Sequence, residues 1–251
     1  MFVQSIKSEL YKMRYTKSIR VILIMLAIFS TVTALILGFS ARKELGSDLF
    51  GETVVSSTFT SVGLTSIIPL SLLIFFITLT ATSEYSNETR TYTHLATPNR
   101  ITAALGKLTA VSLVGIIITL ILNYVNQLLF LLMQVGNYAV PVDKNSLLTV
   151  PLGIAVSVPI LTAFIHGIAY ILRSTSGVLV IMLIMLMRID NIIIFFPKVG
   201  ELFDYLFIRN VRALWSATFV PEDFLKALGI ALAWSIVSFG LGIFSLKKRD
   251  T

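Results

Sequence analysis

Ser83–Leu108 reads SEYSNETRTYTHLATPNRITAALGKL, a polar, charge-bearing stretch between two hydrophobic runs that are each long enough to cross a bilayer. Glu84, Glu88, Arg90, His94, Pro98, Arg100 and Lys107 all fall inside it. The runs on either side, about Ser61–Ala81 and about Leu108–Met133, hold no charged residue. A lipid-embedded segment of that length must satisfy its own backbone hydrogen bonds, which makes it a helix. The stretch therefore reads as a water-facing connection between two membrane helices, and it is the largest surface on its side where a soluble partner can act.

Composition extends this reading to the whole chain. Of 251 residues, 56% are hydrophobic and only 13% charged, and mean hydropathy is +0.89. Soluble domains carry about a quarter charged residues, so the chain reads as an all-α polytopic membrane protein. Spans are expected at Val21–Phe39, Ser61–Ala81, Leu108–Met133, Leu148–Leu172, from Gly177 to Met187, and at Phe224–Leu246. Six helices of roughly 20 residues use up the length, leaving no room for a separate soluble catalytic domain. Pro69 is expected to kink the second span, and Pro151 and Pro159 lie inside the fourth.

Residues 1–20 read as an amphipathic interfacial helix. Phe2, Val3, Ile6, Leu10 and Met13 recur at helical spacing beside Lys7, Arg14 and Lys17, which suits an anionic headgroup layer. No cleavable leader is expected. Residues 188–223 mix charge with Leu202, Phe203, Leu206, Phe207, Leu214 and Trp215, the pattern of an extracellular interfacial or re-entrant element.

Orientation follows the Lys and Arg residues. Lys7, Lys12, Arg14, Lys17, Arg20, Arg90, Arg100, Lys107, Arg173, Lys247, Lys248 and Arg249 share one side, and the other eight of the 20 share the opposite side. Both termini are therefore expected in the cytoplasm, in a multi-pass protein of the cell membrane. The net charge of +7 belongs to this asymmetry and to lipid headgroups; a nucleic-acid partner is not expected.

Several chemistries are excluded. The chain has no cysteine, and its two histidines, His94 and His166, lie far apart, so no disulfide, thiol or histidine metal centre is expected. No phosphate-binding glycine loop, HExxH or nucleophile elbow occurs. The chain is not expected to be an enzyme or to hold a cofactor, and energy for transport must come from a gradient or another polypeptide.

The layout of N-terminal amphipathic helix, six spans, charged loop after the second span and re-entrant-like element before the last resembles the ABC-2-type permease family. These permeases are the membrane subunits of bacterial ABC exporters. Within the loop, Glu84, Thr89, Leu95, Pro98, Arg100 and Lys107 match the family's pattern of an acid, a Thr, Leu-x-x-Pro-x-Arg and a later Lys. A Gly usually precedes the Thr, and Glu88 stands there instead. The resemblance implies that residues 83–107 form a coupling loop seated on ATP-binding cassette subunits, which carry the ATP and Mg. Glu84, Glu88, Thr89, Pro98, Arg100 and Lys107 would make that contact. It also implies a second permease subunit, identical or related, and export of an amphipathic or hydrophobic cargo such as a drug, an antimicrobial peptide or a lipid-like molecule. The residues alone equally allow a solvated loop that only marks the cytoplasmic side. Two alternative functions are a gradient-driven secondary transporter or channel, and a non-transporting membrane immunity protein.

Polar residues inside the spans are the remaining candidates. Asn123, Asn126 and Gln127 lie at i, i+3, i+4 on one face of the third span. They either bond helix to helix or line a translocation path, and His166 faces the same choice. Arg188 and Asp190 sit two apart where the fifth span breaks, a spacing that does not pair them on a helix.

Overall fold

A computed structural model describes residues 2–44, 67–86, 100–134, 146–186, 204–215 and 221–249. Among these residues the chain forms eight helices and no strand. They are α1 (Phe2–Tyr15), α2 (Lys17–Glu44), α3 (Ile67–Ser86), α4 (Arg100–Gln134), α5 (Ser146–Leu172), α6 (Thr175–Leu186), α7 (Phe207–Leu214) and α8 (Pro221–Arg249). Four of them are long and apolar enough to cross a membrane, at Lys17–Ile36, Ile101–Leu129, Thr149–Leu172 and Glu222–Leu246; Pro69–Ser83 and Thr175–Leu186 are shorter apolar helices. This is the fold of a helical membrane protein.

The helices α5 and α8 make the most extensive pairing, and α5 also packs against α3, α4, α6 and α7. Of the crossing segment of α5, 67% is buried within the chain, against 28% for α2 and 22% for α8. The axis of the bundle is thus α5, while α2 and α8 turn most of their apolar surface outward. Val21, Ile24, Ile28, Ile36, Ile236, Val237 and Phe244 are all more than half exposed, as lipid-facing side chains are.

Without a hydrophobic force between helices in lipid, close approach depends on small residues and hydrogen bonds. That is how α8 is held. Ser235 Oγ donates to the Ile160 carbonyl at 2.8 Å and Ser238 Oγ to that of Phe164 at 2.9 Å. A Cβ on Gly167 would come within 2.4 Å of Ser238 backbone and hydroxyl oxygens, and one on Gly242 within 2.9 Å of Gly167 backbone. The near-constant spacing of these partners shows that α5 and α8 run parallel. Most other membrane-depth hydroxyls bond the carbonyl four residues back in their own helix. Thr80, Thr82, Thr119 and Thr162 all do so.

Three expectations shift. Helix α4 begins at Arg100 and α3 runs to Ser86, so helix extends into both ends of the stretch read as loop 83–107. Within Ile101–Leu108 only Gly106 is a poor helix former, and nothing there stops propagation. At 35 residues, α4 is about 52 Å long, well beyond a bilayer core of roughly 30 Å. Pro69 falls in the first turn of α3, where a missing N–H breaks no helical bond, so it is no mid-span kink.

Helix α1 reports the third. Its buried residues are Ser5, Glu9 and Met13, and it packs along α4. A Cβ on Gly106 would meet Ser5 Oγ at 2.3 Å. Phe2, Val3 and Leu10, most of the expected apolar stripe, stay exposed beside Tyr11 and Tyr15. Ser5, Glu9, Met13 and Ile6 thus meet protein while Phe2, Val3 and Leu10 are left outward, so the helix face that packs is mixed rather than the expected apolar stripe. Glu9 is covered yet ion-paired to Lys12 at 2.6 Å.

Candidate functional site

The end of the bundle where α3 stops and α4 starts also holds the α5–α6 turn and the C-terminal end of α8. Ala104, Tyr170 and Leu246 form a small buried cluster there, with Tyr85 and Phe239 packed against it. The α5–α6 turn is built on Arg173, whose φ is 54°. This left-handed conformation closes α5 with a bond from Arg173 N–H to the Ala169 carbonyl at 2.8 Å, as in an αL cap. A non-glycine residue there costs about 1–2 kcal/mol. Two contacts to α3 offset it. The Arg173 guanidinium lies 5.9 Å from the Tyr85 ring centroid, a cation–π distance, and Thr82 and Thr175 share a hydroxyl–hydroxyl bond of 2.8 Å. The last turn of α3 is thereby clasped to the start of α6.

The residues expected to meet an ATP-binding partner divide around this junction. Glu84 belongs to the last turn of α3 and Arg100 opens α4. Glu88, Thr89 and Pro98 lie outside the described residues. Lys107 is in α4 next to Gly106, where α1 lies across the helix, and is only 5% exposed. Sequence reasoning missed Tyr85, Arg173 and Thr175. The helix-ending RSTSG turn was legible, but no local signal tells that it docks on a tyrosine almost ninety residues earlier.

At the opposite end, α7 is pressed onto α5 and α8, with Phe207, Ile208, Asn210, Val211 and Leu214 buried. Gly153 permits this, since its missing Cβ would overlap the Leu214 carbonyl. Trp215 Nε1–H donates to Ser157 Oγ inside the bundle, and Arg212 donates to the Leu186 carbonyl at the end of α6 at 3.4 Å. Of the stretch 188–223, residues 207–214 therefore form a packed helix and 221–223 open α8. Arg188 and Asp190 lie outside the described residues.

The three amides of α4 are all buried, Asn123 at 2%, Asn126 at 0% and Gln127 at 4% exposure. Asn126 Nδ2 donates to Ser30 Oγ of α2 at 2.6 Å, which ties those two helices together. Asn123 Nδ2, Asn126 Oδ1 and Gln127 Nε2 have no hydrogen-bond partner among the described residues. The patch thus supplies one interhelical bond and leaves further polar capacity unused. Ser30→Ala removes the partner of Asn126 and is expected to cost about 1–3 kcal/mol, read as a fall in Tm of the detergent-solubilised protein.

His166 is fully buried, with Nδ1 2.8 Å from the Thr162 carbonyl of its own helix. A carbonyl only accepts, so Nδ1 carries the proton. Its ring meets Tyr170 edge-on, with 5.9 Å between centroids. Among the described residues no three of His, Cys, Asp and Glu gather as a metal site would need. No family model and no curated protein matches the chain.

Proposed function

We propose that this chain is the permease subunit of an ATP-driven exporter of the ABC-2 type. The observation that carries the reading is the junction between α3, α4 and the α5–α6 turn. Residues 87–99 join two helices at one end of the bundle. Through the Arg173–Tyr85 and Thr82–Thr175 contacts, α3 is tied to the turn after α5 and to α6, and through the Ala104–Tyr170 cluster α4 meets α5. A soluble partner pressing on this connection levers α3 and α4 directly and reaches the bundle axis through the clasp. Transmission between sites needs a contiguous chain of packed elements that can take two arrangements, and this junction supplies the contiguous chain.

In this reading α2, α3, α4, α5, α6 and α8 are six crossings, and both termini and residues 87–99 are cytoplasmic. The exposed basic residues Lys7, Arg14, Lys17, Arg20 and Lys248 meet anionic headgroups at that end. Glu84, Glu88, Thr89, Pro98 and Arg100 contact the ATP-binding subunit, which supplies ATP and Mg. Lys107, covered beside α1, acts within the chain as part of the stiff base of α4. Two permeases and two ATP-binding subunits complete the transporter, and its cargo is amphipathic or hydrophobic.

Gentle solubilisation of a tagged chain from its native membrane is expected to bring down an ATP-binding cassette subunit. A chain that purifies repeatedly without any ATPase refutes the proposal and favours a gradient-driven carrier or an immunity protein.

A further inference from the structure

Buried amides in lipid-embedded helices normally find partners across the helix interface, because an unpaired polar group there costs about 1–3 kcal/mol. In α4 three such atoms within one helical turn stay unpaired: two amide nitrogens, Asn123 Nδ2 and Gln127 Nε2, and one amide oxygen, Asn126 Oδ1. Exchanging the oxygen and nitrogen of any of these amides changes whether a donor or an acceptor is left over, not that one is. A fourth unpaired atom lies at the same level. Gly115 of α4 faces Val158 of α5, and Ala104 clusters with Tyr170, so the two helices run antiparallel. Counting on from these pairs at equal rise sets Thr149, at the start of α5, level with Tyr124 and Val125, between Asn123 and Asn126. Thr149 Oγ1 is likewise buried without a partner.

Orphaned polar atoms gathered this way mark a place where something outside the described chain completes the bonding. From this arrangement we infer that Asn123, Asn126, Gln127 and Thr149 form a hydrated binding site between α2, α4 and α5 for the amide groups of a neutral ligand. The amides and hydroxyl are uncharged, so the set offers nothing to offset the desolvation of an ion. Each side-chain amide carries one donor end and one acceptor end, so the set suits a ligand that itself offers both, as an amide does. The Asn126–Ser30 bond closes the α2 side, and its exchange for a ligand bond opens access. Use of the site along an export path rests on the permease reading; its existence does not.

The absence of native cysteine makes the test clean. Asn123→Cys and Gln127→Cys are made singly, with exposed Ser176→Cys and buried Ile154→Cys as references. In detergent-solubilised protein, a permanently charged methanethiosulfonate is expected to label both site cysteines at least about tenfold faster than the one at Ile154, because reaction needs water and an ionised thiol. N-acetyl-leucinamide is expected to slow that labelling, and n-decane is not. Labelling no faster than at Ile154 removes the site. Protection by neither probe, or equally by both, removes the assignment of an amide ligand. A second measurement needs no cysteine. Asn123→Leu combined with Gln127→Leu is expected to leave Tm unchanged or raise it, because neither unpaired amide end holds another helix, and a fall would show the amides to be packing contacts. None of these assays involves an ATPase, so a negative result leaves the permease reading standing, and failed co-purification leaves the site standing.

Discussion

Gly167→Leu is expected to abolish the α5–α8 pairing. Even the first added carbon would lie 2.3–2.4 Å from the Ser238 carbonyl carbon, carbonyl oxygen and hydroxyl. The backbone cannot rotate aside as a flexible side chain would, so the helices must separate. Separation also breaks the Ser235 and Ser238 bonds to α5 and strips cover from the bundle axis. Overpacking alone costs about 1–3 kcal/mol, and each lost hydrogen bond adds about 0.5–1.5 kcal/mol. The readout is monodisperse protein after solubilisation, together with Tm, which moves by roughly 2–4 °C per kcal/mol in a chain of this size. Gly229→Leu and Gly240→Leu are the controls, because a Cβ at either position meets nothing within 4 Å. Near-equal behaviour of Gly167→Leu and the controls would contradict the packing described.

Glu84→Ala and Arg100→Ala are expected to separate ATP hydrolysis from export. On the proposed reading these residues end α3 and open α4 at the contact with the ATP-binding subunit. Truncating one member of a buried interfacial charge pair costs about 2–5 kcal/mol, enough to lower export by more than about tenfold. Membrane insertion should be unchanged, because neither residue lies in the apolar part of a span. Cargo export and ATPase activity are to be measured on the same reconstituted complex. Wild-type export by both variants would sink the coupling role.

Much of this molecule could be read from its residues. The spans around Leu108–Met133, Leu148–Leu172 and Phe224–Leu246 coincide with long apolar helices. The single face shared by Asn123, Asn126 and Gln127 followed from helical spacing, and all three are buried. What could not be read were the partners: Ser30 for Asn126, Tyr85 for Arg173 and Ser157 for Trp215. Each joins segments dozens of residues apart, and no local pattern encodes the depth at which two helices meet. The ends of the polar stretch 83–107 were misjudged for a related reason. Polar residues show where lipid stops, but helix continues through them until something breaks it.

Sequence by itself determined that the chain is helical and membrane-embedded, because transfer into lipid is a sum over roughly 20 consecutive residues and needs no knowledge of neighbours. Which glycine is indispensable was decided only by the tertiary structure. In isolation Gly167, Gly229, Gly240 and Gly242 look alike, yet Gly167 and Gly242 sit where two backbones touch while Gly229 and Gly240 face open space. The difference lies in the register between α5 and α8, fixed by steep short-range contacts between residues some 75 positions apart.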